Sequence, residues 1–456
     1  MKSSRAQTHA KFHRIPSLSF TSEWRLTSYS GLILFQALFQ KLRLKDRFRR
    51  CFDHLTVQPI FGMPAILLLL VVHLLLGFRR LRGLDYYRHD PLVARVVGLR
   101  RLPDVATVSR ALAGLDARSV DEVRGVSRNL VATRIADEAL ARVTLDFDGS
   151  VQSTTGHAEG TAVGYNKVKK GARSYYPLFC TIAQTGQFFD LHHRAGNVHD
   201  SNGACEFLKA CVGRIRTASP ASKLESRMDA AFFNEPMLSQ LDDEGIEFSI
   251  STPFERFPML KQIVEQRTDW ETIDREWSSF ELDWRPKSWR SKWRFLGLRH
   301  RKHKPRKGPL QLDLFEPRDF EFEYKVIVTN KTESARAVLL FHNGRGGQEK
   351  IFGEAKQNVA LDLIATKTLY GNQLFTLAGM LAHNLSRELQ MQAQPRARRA
   401  EPKRPTQWDF LQLGTIRQRL LHLAGELTRP QGQLTLKVND NPVVRAELLR
   451  LLKPLR

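Results

Sequence analysis

The chain has 456 residues, 42% hydrophobic and 26% charged, enough to bury a large core and to build two or three domains. Its 71 Lys and Arg against 47 Asp and Glu leave a formal charge of +24, which disfavours cationic partners and favours a polyanion, nucleic acid first and an anionic membrane surface second. Four cysteines without C-x-x-C pairing (Cys51, Cys180, Cys205, Cys211) exclude a disulfide framework and a zinc finger, and fit a reducing cytoplasm.

Residues 1–140 read as an N-terminal all-helical, basic domain suited to binding DNA. The N-terminus is polar and lacks the early apolar core of a secretory signal. A helix is predicted over 32–44, and apolar residues recur at three- and four-residue spacing through 51–140. Residues 60–78, IFGMPAILLLLVVHLLLGF, have about the length of a bilayer span. Pro64 and His73 interrupt the run and RRLRG follows at once, so it reads as a buried helix, with a membrane span as the alternative. A loop is expected at 84–91, and then a helix with Thr107 as N-cap. No helix-turn-helix is distinct enough to assign.

At Arg142 the pattern changes to period-two alternation, predicting strands at 142–148, 175–184 and 187–194, the last two a hairpin around Thr185-Gly186. A helix at 203–215, a strand at 223–229, a helix at 235–243 and a strand at 246–251 complete 141–252. Three strands, helix, strand, helix, strand is the order of an RNase H-like α/β core. Residues 253–320 interrupt it with five of the seven tryptophans (Trp270, Trp277, Trp284, Trp289, Trp293) and a basic run at 299–307. The tryptophans read first as packing, with stacking on an unpaired base as the alternative. The core resumes over 321–390 with a strand at 321–329 and helix from about 344 to 389. Residues 391–407 read as a basic linker and 408–456 as a tail with one helix and one strand. His192, His193 and His199 sit on a hairpin rim without Cys partners and do not read as a metal site.

Residues 342–356 read HNGRGGQEKIFGEAK. At about 100° per residue, Arg345, Glu349 and Lys356 fall at roughly −60°, −20° and −40° from His342 on a helical wheel. One stripe therefore carries a carboxylate among groups that bind phosphate, and a solvated face of i,i+4 pairs has the same spacing.

This segment resembles the Y-x2-R-x3-E-x6-K signature of one large branch of bacterial insertion-sequence transposases, the group 1 DDE type. Arg345, Glu349 and Lys356 match, and His342 stands where Tyr is usual. Residues 145–150, LDFDGS, are similar to the first catalytic block, 227–233, RMDAAFF, to the second, and 193–197, HRAGN, to the turn after the third strand. The resemblance implies an RNase H-like catalytic core with an inserted, mainly β subdomain at 253–320. It implies Asp148, Asp229 and Glu349 as catalytic residues holding two Mg²⁺ ions, with Mn²⁺ able to substitute, and His342, Arg345 and Lys356 as DNA-binding residues. Asp146 shares a strand face with Asp148 and is the rival for the first position. Mg²⁺ wants hard oxygen ligands, and two ions can activate an attacking oxygen and stabilise a leaving one. The implied activity is cutting at the terminal inverted repeats of a mobile element and joining the 3′ ends to target DNA. The partners implied are double-stranded DNA and a second copy of the chain, in the cytoplasm at the nucleoid, with no membrane. A catalytically inactive DNA-binding relative is the alternative.

Overall fold

The computed structural model describes residues 15–20, 25–56, 59–164, 166, 169–303, 320–398 and 401–455. Six α-helices precede the first long strand: α1 (Leu32–Lys41), α2 (Leu44–Cys51), α3 (Met63–Leu75), α4 (Pro91–Val97), α5 (Val105–Ala113) and α6 (Ala117–Asp137). Asp90, Asp104 and Asp116 start α4, α5 and α6 by accepting backbone N–H groups. The Asp104 carboxylate takes the Thr107 N–H at 2.6 Å, so Thr107 lies inside the first turn and is not the cap.

Helix α3 is the apolar run. Eleven of its thirteen residues are buried, and it packs along the helix Leu369–Ala393. His73 within it is satisfied: Nε2 faces the Arg80 carbonyl at 3.1 Å and Nδ1 the Tyr87 hydroxyl at 2.7 Å. Burial lowers its pKa to about 4, so the ring is neutral. No described helix is long and apolar enough to cross a membrane.

A mixed nine-stranded sheet follows. Its strands are β1 (Arg142–Gly149), β2 (Leu178–Ile182), β3 (Gln187–His192), β4 (Lys223–Met228), β5 (Glu247–Thr252), β6 (Glu271–Thr272), β7 (Trp277–Leu282), β8 (Arg294–His303) and β9 (Phe320–Thr329). Their order across the sheet is β6-β7-β8-β9-β5-β4-β1-β2-β3. β1, β4 and β5 are parallel, crossing over through α7 (Ala204–Ala218) and α8 (Glu235–Asp243), while β2 and β3 form the antiparallel hairpin. After the short helix α9 (Pro258–Glu265), strands β6 to β9 run as an antiparallel meander that pairs with β5.

The segment expected as a separate β insertion therefore extends the core sheet. Its tryptophans pack inward: Trp289 lies edge-on to Trp293, Trp284 to Phe295 and Trp270 to Phe280. The second half of the basic run at 299–307 lies outside the described residues.

The chain closes with α10 (Ala335–Asn343), α11 (Gly346–Val359) and α12 (Leu369–Ala393). The helical region expected from about 344 to 389 is two helices, the first ending at Ala360, which caps α11 at φ 56°. The expected basic linker is laid across the core: Arg404 grips Glu225 and the Gln407 N–H donates to the Gln184 carbonyl at 2.8 Å. In the tail, strands Gly425–Thr428 and Thr435–Val438 form a hairpin that pairs with Leu26–Thr27. Arg417 donates to the carbonyls of Leu74 and Leu75 at the end of α3. One hydrophobic cluster runs from Leu32 to Leu455 through helices, sheet and tail.

Candidate active site

The site grows out of the parallel pair β1 and β4. Their register places Asp146 beside Arg227, so two residues further on, at the strand ends, Asp148 stands beside Asp229 on the same face. Adjacent strands lie about 4.8 Å apart, close enough for the Asp229 charge to act on the Asp148 carboxyl. Asp229 is fixed by its own backbone: it opens the 3-10 turn Ala230–Phe232, and its Oδ1 accepts the Ala231 N–H at 2.9 Å.

Burial pushes the Asp148 carboxyl up to about 7, and the neighbouring Asp229 charge pushes the same way; Arg345 opposes both. Its guanidinium reaches Asp148 Oδ2 at 3.4 Å from the start of α11. A third aspartate, Asp200, adds to the negative field at Asp148. The Tyr176 hydroxyl donates to Asp200 Oδ2 at 2.8 Å and Arg194 to Oδ1 at 3.2 Å. Gly149 lets this group approach, since a Cβ there would lie 2.5 Å from Asp200 Oδ1 and from the Tyr176 ring.

Asp146 is consumed elsewhere. Arg227 grips it through two bonds of 2.6 Å, and both side chains are 1% exposed. Strand alternation cannot separate Asp146 from Asp148, but depth and partner do.

Glu349 is exposed in the first turn of α11. Its neighbour Gln348 pins that turn over β1 by donating to the Asp146 carbonyl at 2.8 Å. Among the described residues, no three His, Cys, Asp or Glu side chains converge as a metal-binding group. The structure thus joins Asp148, Asp229 and Arg345, and leaves Glu349 beside that group rather than within it.

His342 is corrected. It lies on α10, buried against β5, with Nε2 2.9 Å from Ser251 Oγ and Nδ1 3.1 Å from Ser249 Oγ. Burial lowers its pKa well below the usual imidazole value, so the ring is neutral and offers no nitrogen to a phosphate. The wheel reading failed because α10 ends at Asn343 and an i→i+3 turn, with Gly347 N–H donating to the Gly344 carbonyl, joins it to α11. Lys356 lies two turns beyond Glu349 on α11 and lines a separate groove.

Two groups near the site were missed from sequence. Asp200 stands three residues past the 193–197 turn, and that proximity was its one signal. Lys325 on β9 donates to Asn343 Oδ1 at 3.3 Å, and burial together with the Arg345 charge lowers its pKa to about 8. Nothing in an alternating strand marks it.

Two neighbouring carboxylates, one retaining its proton up to about neutral pH, are a hard-oxygen donor set whose charge a divalent cation would neutralise. The residues present therefore fit such an ion at Asp148 and Asp229. A family profile described as transposase DDE domain group 1 matches residues 17–456. The chain belongs to the group 1 DDE transposases. This family is one of DNA-transposing enzymes that generally use divalent metal ions. Among solved structures, the piggyBac transposase synaptic complex with hairpin DNA is similar to this transposase at 11% identity. That match covers 80% of this chain and 77% of the other, with a TM-score of 0.45. No curated protein sequence matches the chain.

Proposed function

We propose that this transposase cuts DNA at the terminal inverted repeats of its own mobile element and joins the freed 3′ ends to target DNA. Asp148, Asp229 and Glu349 are its metal-holding carboxylates, acting on two Mg²⁺ ions that Mn²⁺ can replace. The observation that carries this reading is that Asp148 and Asp229 are neighbours at adjacent parallel strand ends, with an Asp148 carboxyl held near 7. When bound, the ions supply a polarised water or 3′-hydroxyl and charge neutralisation at the leaving oxygen. Arg345 holds the phosphate beside them, exchanging its bond to Asp148 for a fork onto the anion. Lys325 adds positive charge behind it, and Lys356 holds DNA farther along α11.

The strand order β3-β2-β1-β4-β5, antiparallel then parallel, supports reading the sheet as an RNase H-like core, with β6 to β9 as an addition on the β5 edge. Helices α1 to α6 then form a DNA-binding part ahead of it. Two DNA ends held together call for a homodimer in the cytoplasm.

The test is cleavage of element-end duplexes by purified protein. Asp148→Asn, Asp229→Asn and Glu349→Gln should each abolish Mg²⁺-dependent nicking while leaving duplex binding in Ca²⁺ intact. Undiminished nicking by the triple variant would overturn the assignment. Binding without any nicking by the unmodified chain would favour the catalytically inactive relative.

A further inference from the structure

A groove of about 880 Å³ lies beyond the carboxylate site, between the end of α3 and the outer turns of α11. Arg79, Arg80 and Arg82 line it from the stretch after α3, together with Lys169 and with Lys356 of α11. The only acid on its lining among the described residues, Asp362, is bound to Arg79 at 2.5 Å. Arg80, Arg82 and Lys169 are exposed and make no ion pair with a described residue. Asn166, 5% exposed and also on the lining, has an Nδ2 without an acceptor among the described residues. Tyr86, 85% exposed and stacked on Phe78 at 6.2 Å, adds an apolar ledge.

We infer that this groove is a docking track for the phosphate backbone of duplex DNA, carrying the strand from Lys356 outward over Arg80 and Arg82. It rests on the transposase reading above and says where DNA lies once past the reacting bond. Lys356 is seven residues from Glu349 on one helix, about 10 Å at 1.5 Å per residue. A backbone leaving the carboxylates along α11 therefore meets Lys356 and then the arginine wall. Unpaired guanidinium and ammonium groups with a spare amide donor suit phosphate oxygens. Bonds to phosphate carry no sequence information, so the track serves any DNA.

A second basin, lined by Arg25, Arg95, Arg100 and Arg429 between α4 and the C-terminal hairpin, is a built-in control. The experiment uses the full chain, a fluorescent duplex of arbitrary sequence and Ca²⁺ in place of Mg²⁺, with affinity followed against salt. Arg80→Ala/Arg82→Ala should weaken binding at least several-fold and flatten the slope of log K against log salt by about 0.9 for each phosphate no longer neutralised. Its thermal midpoint should stay within a few degrees of the parent, since both side chains are exposed. An unchanged slope would overturn the inference, as would weakening seen only in Arg95→Ala/Arg100→Ala/Arg429→Ala. Failure of the catalytic reading looks different: Asp148→Asn would still nick, while the groove variant would still bind weakly.

Discussion

Asp146 and Asp148 sit two residues apart on one strand and have opposite fates because of what faces them. Asp146 meets Arg227 in a buried layer, where removing one partner leaves an unpaired buried ion. Arg227→Met should therefore cost on the order of 3–5 kcal/mol in urea unfolding. Arg345 pairs with Asp148 where their side chains are 21% and 24% exposed, and its bond is longer. Arg345→Ala should change stability by less than about 1 kcal/mol yet depress strand cleavage strongly. Equal losses of stability in the two variants would show that depth does not separate the two ion pairs. Depth is also what the sequence lacked. Alternation names the strand face, but which of two acids lies under Arg227 depends on register with a strand 81 residues away.

Between elements, a polar cluster under the sheet edge ties β1, β4, β5 and the 401–407 segment together. Glu225, fully buried, accepts from Arg142, Lys331 and Arg404 at 2.8–3.0 Å. Burial pulls its pKa up, but the Arg404 and Lys331 bonds outweigh it and hold the carboxyl at about 2. Its ordinary value is 4.5, so the stabilisation is complete above about pH 4.5 and is lost as the pH falls through about 2. Glu225→Gln should lose on the order of 3 kcal/mol at pH 7, and the gap from the parent should close on acidification. A gap that held constant from pH 7 to pH 2 would mean the charge is irrelevant. This cluster explains why 391–407 looks like a free linker in sequence: its prolines and arginines signal exposure, and the acid that binds it lies far away in the chain. Elements governed by local chemistry were legible. Helix α8 coincides with the expected 235–243, because Asn234 caps it and Pro236 sits in its first turn. The break at Ala360 was not, since an alanine in the left-handed region has no sequence signal. The pairing of β9 with β5 was equally invisible, because periodicity marks a strand and not its neighbour.

At the scale of the molecule, the N-terminal helices and the sheet share one core rather than meeting at a boundary near residue 140. Helix α3 is covered by α12, more than 290 residues later, and its last carbonyls are capped by Arg417 from the tail. Each fully buried Leu, Ile or Val on α3 contributes roughly 1.5–3 kcal/mol relative to exposure, and that stabilisation exists only when the C-terminal third is present. The same argument places the apolar run inside the fold. A fragment of residues 1–140 should therefore fail to fold cooperatively, aggregating or partitioning onto lipid vesicles through α3. The full chain should show one cooperative unfolding transition and come off vesicles at high salt, since only surface charge holds it there. Monomeric 1–140 with a sharp thermal transition and native-like helix content by circular dichroism would overturn the shared core. Retention of the full chain on vesicles at high salt would overturn the burial of α3.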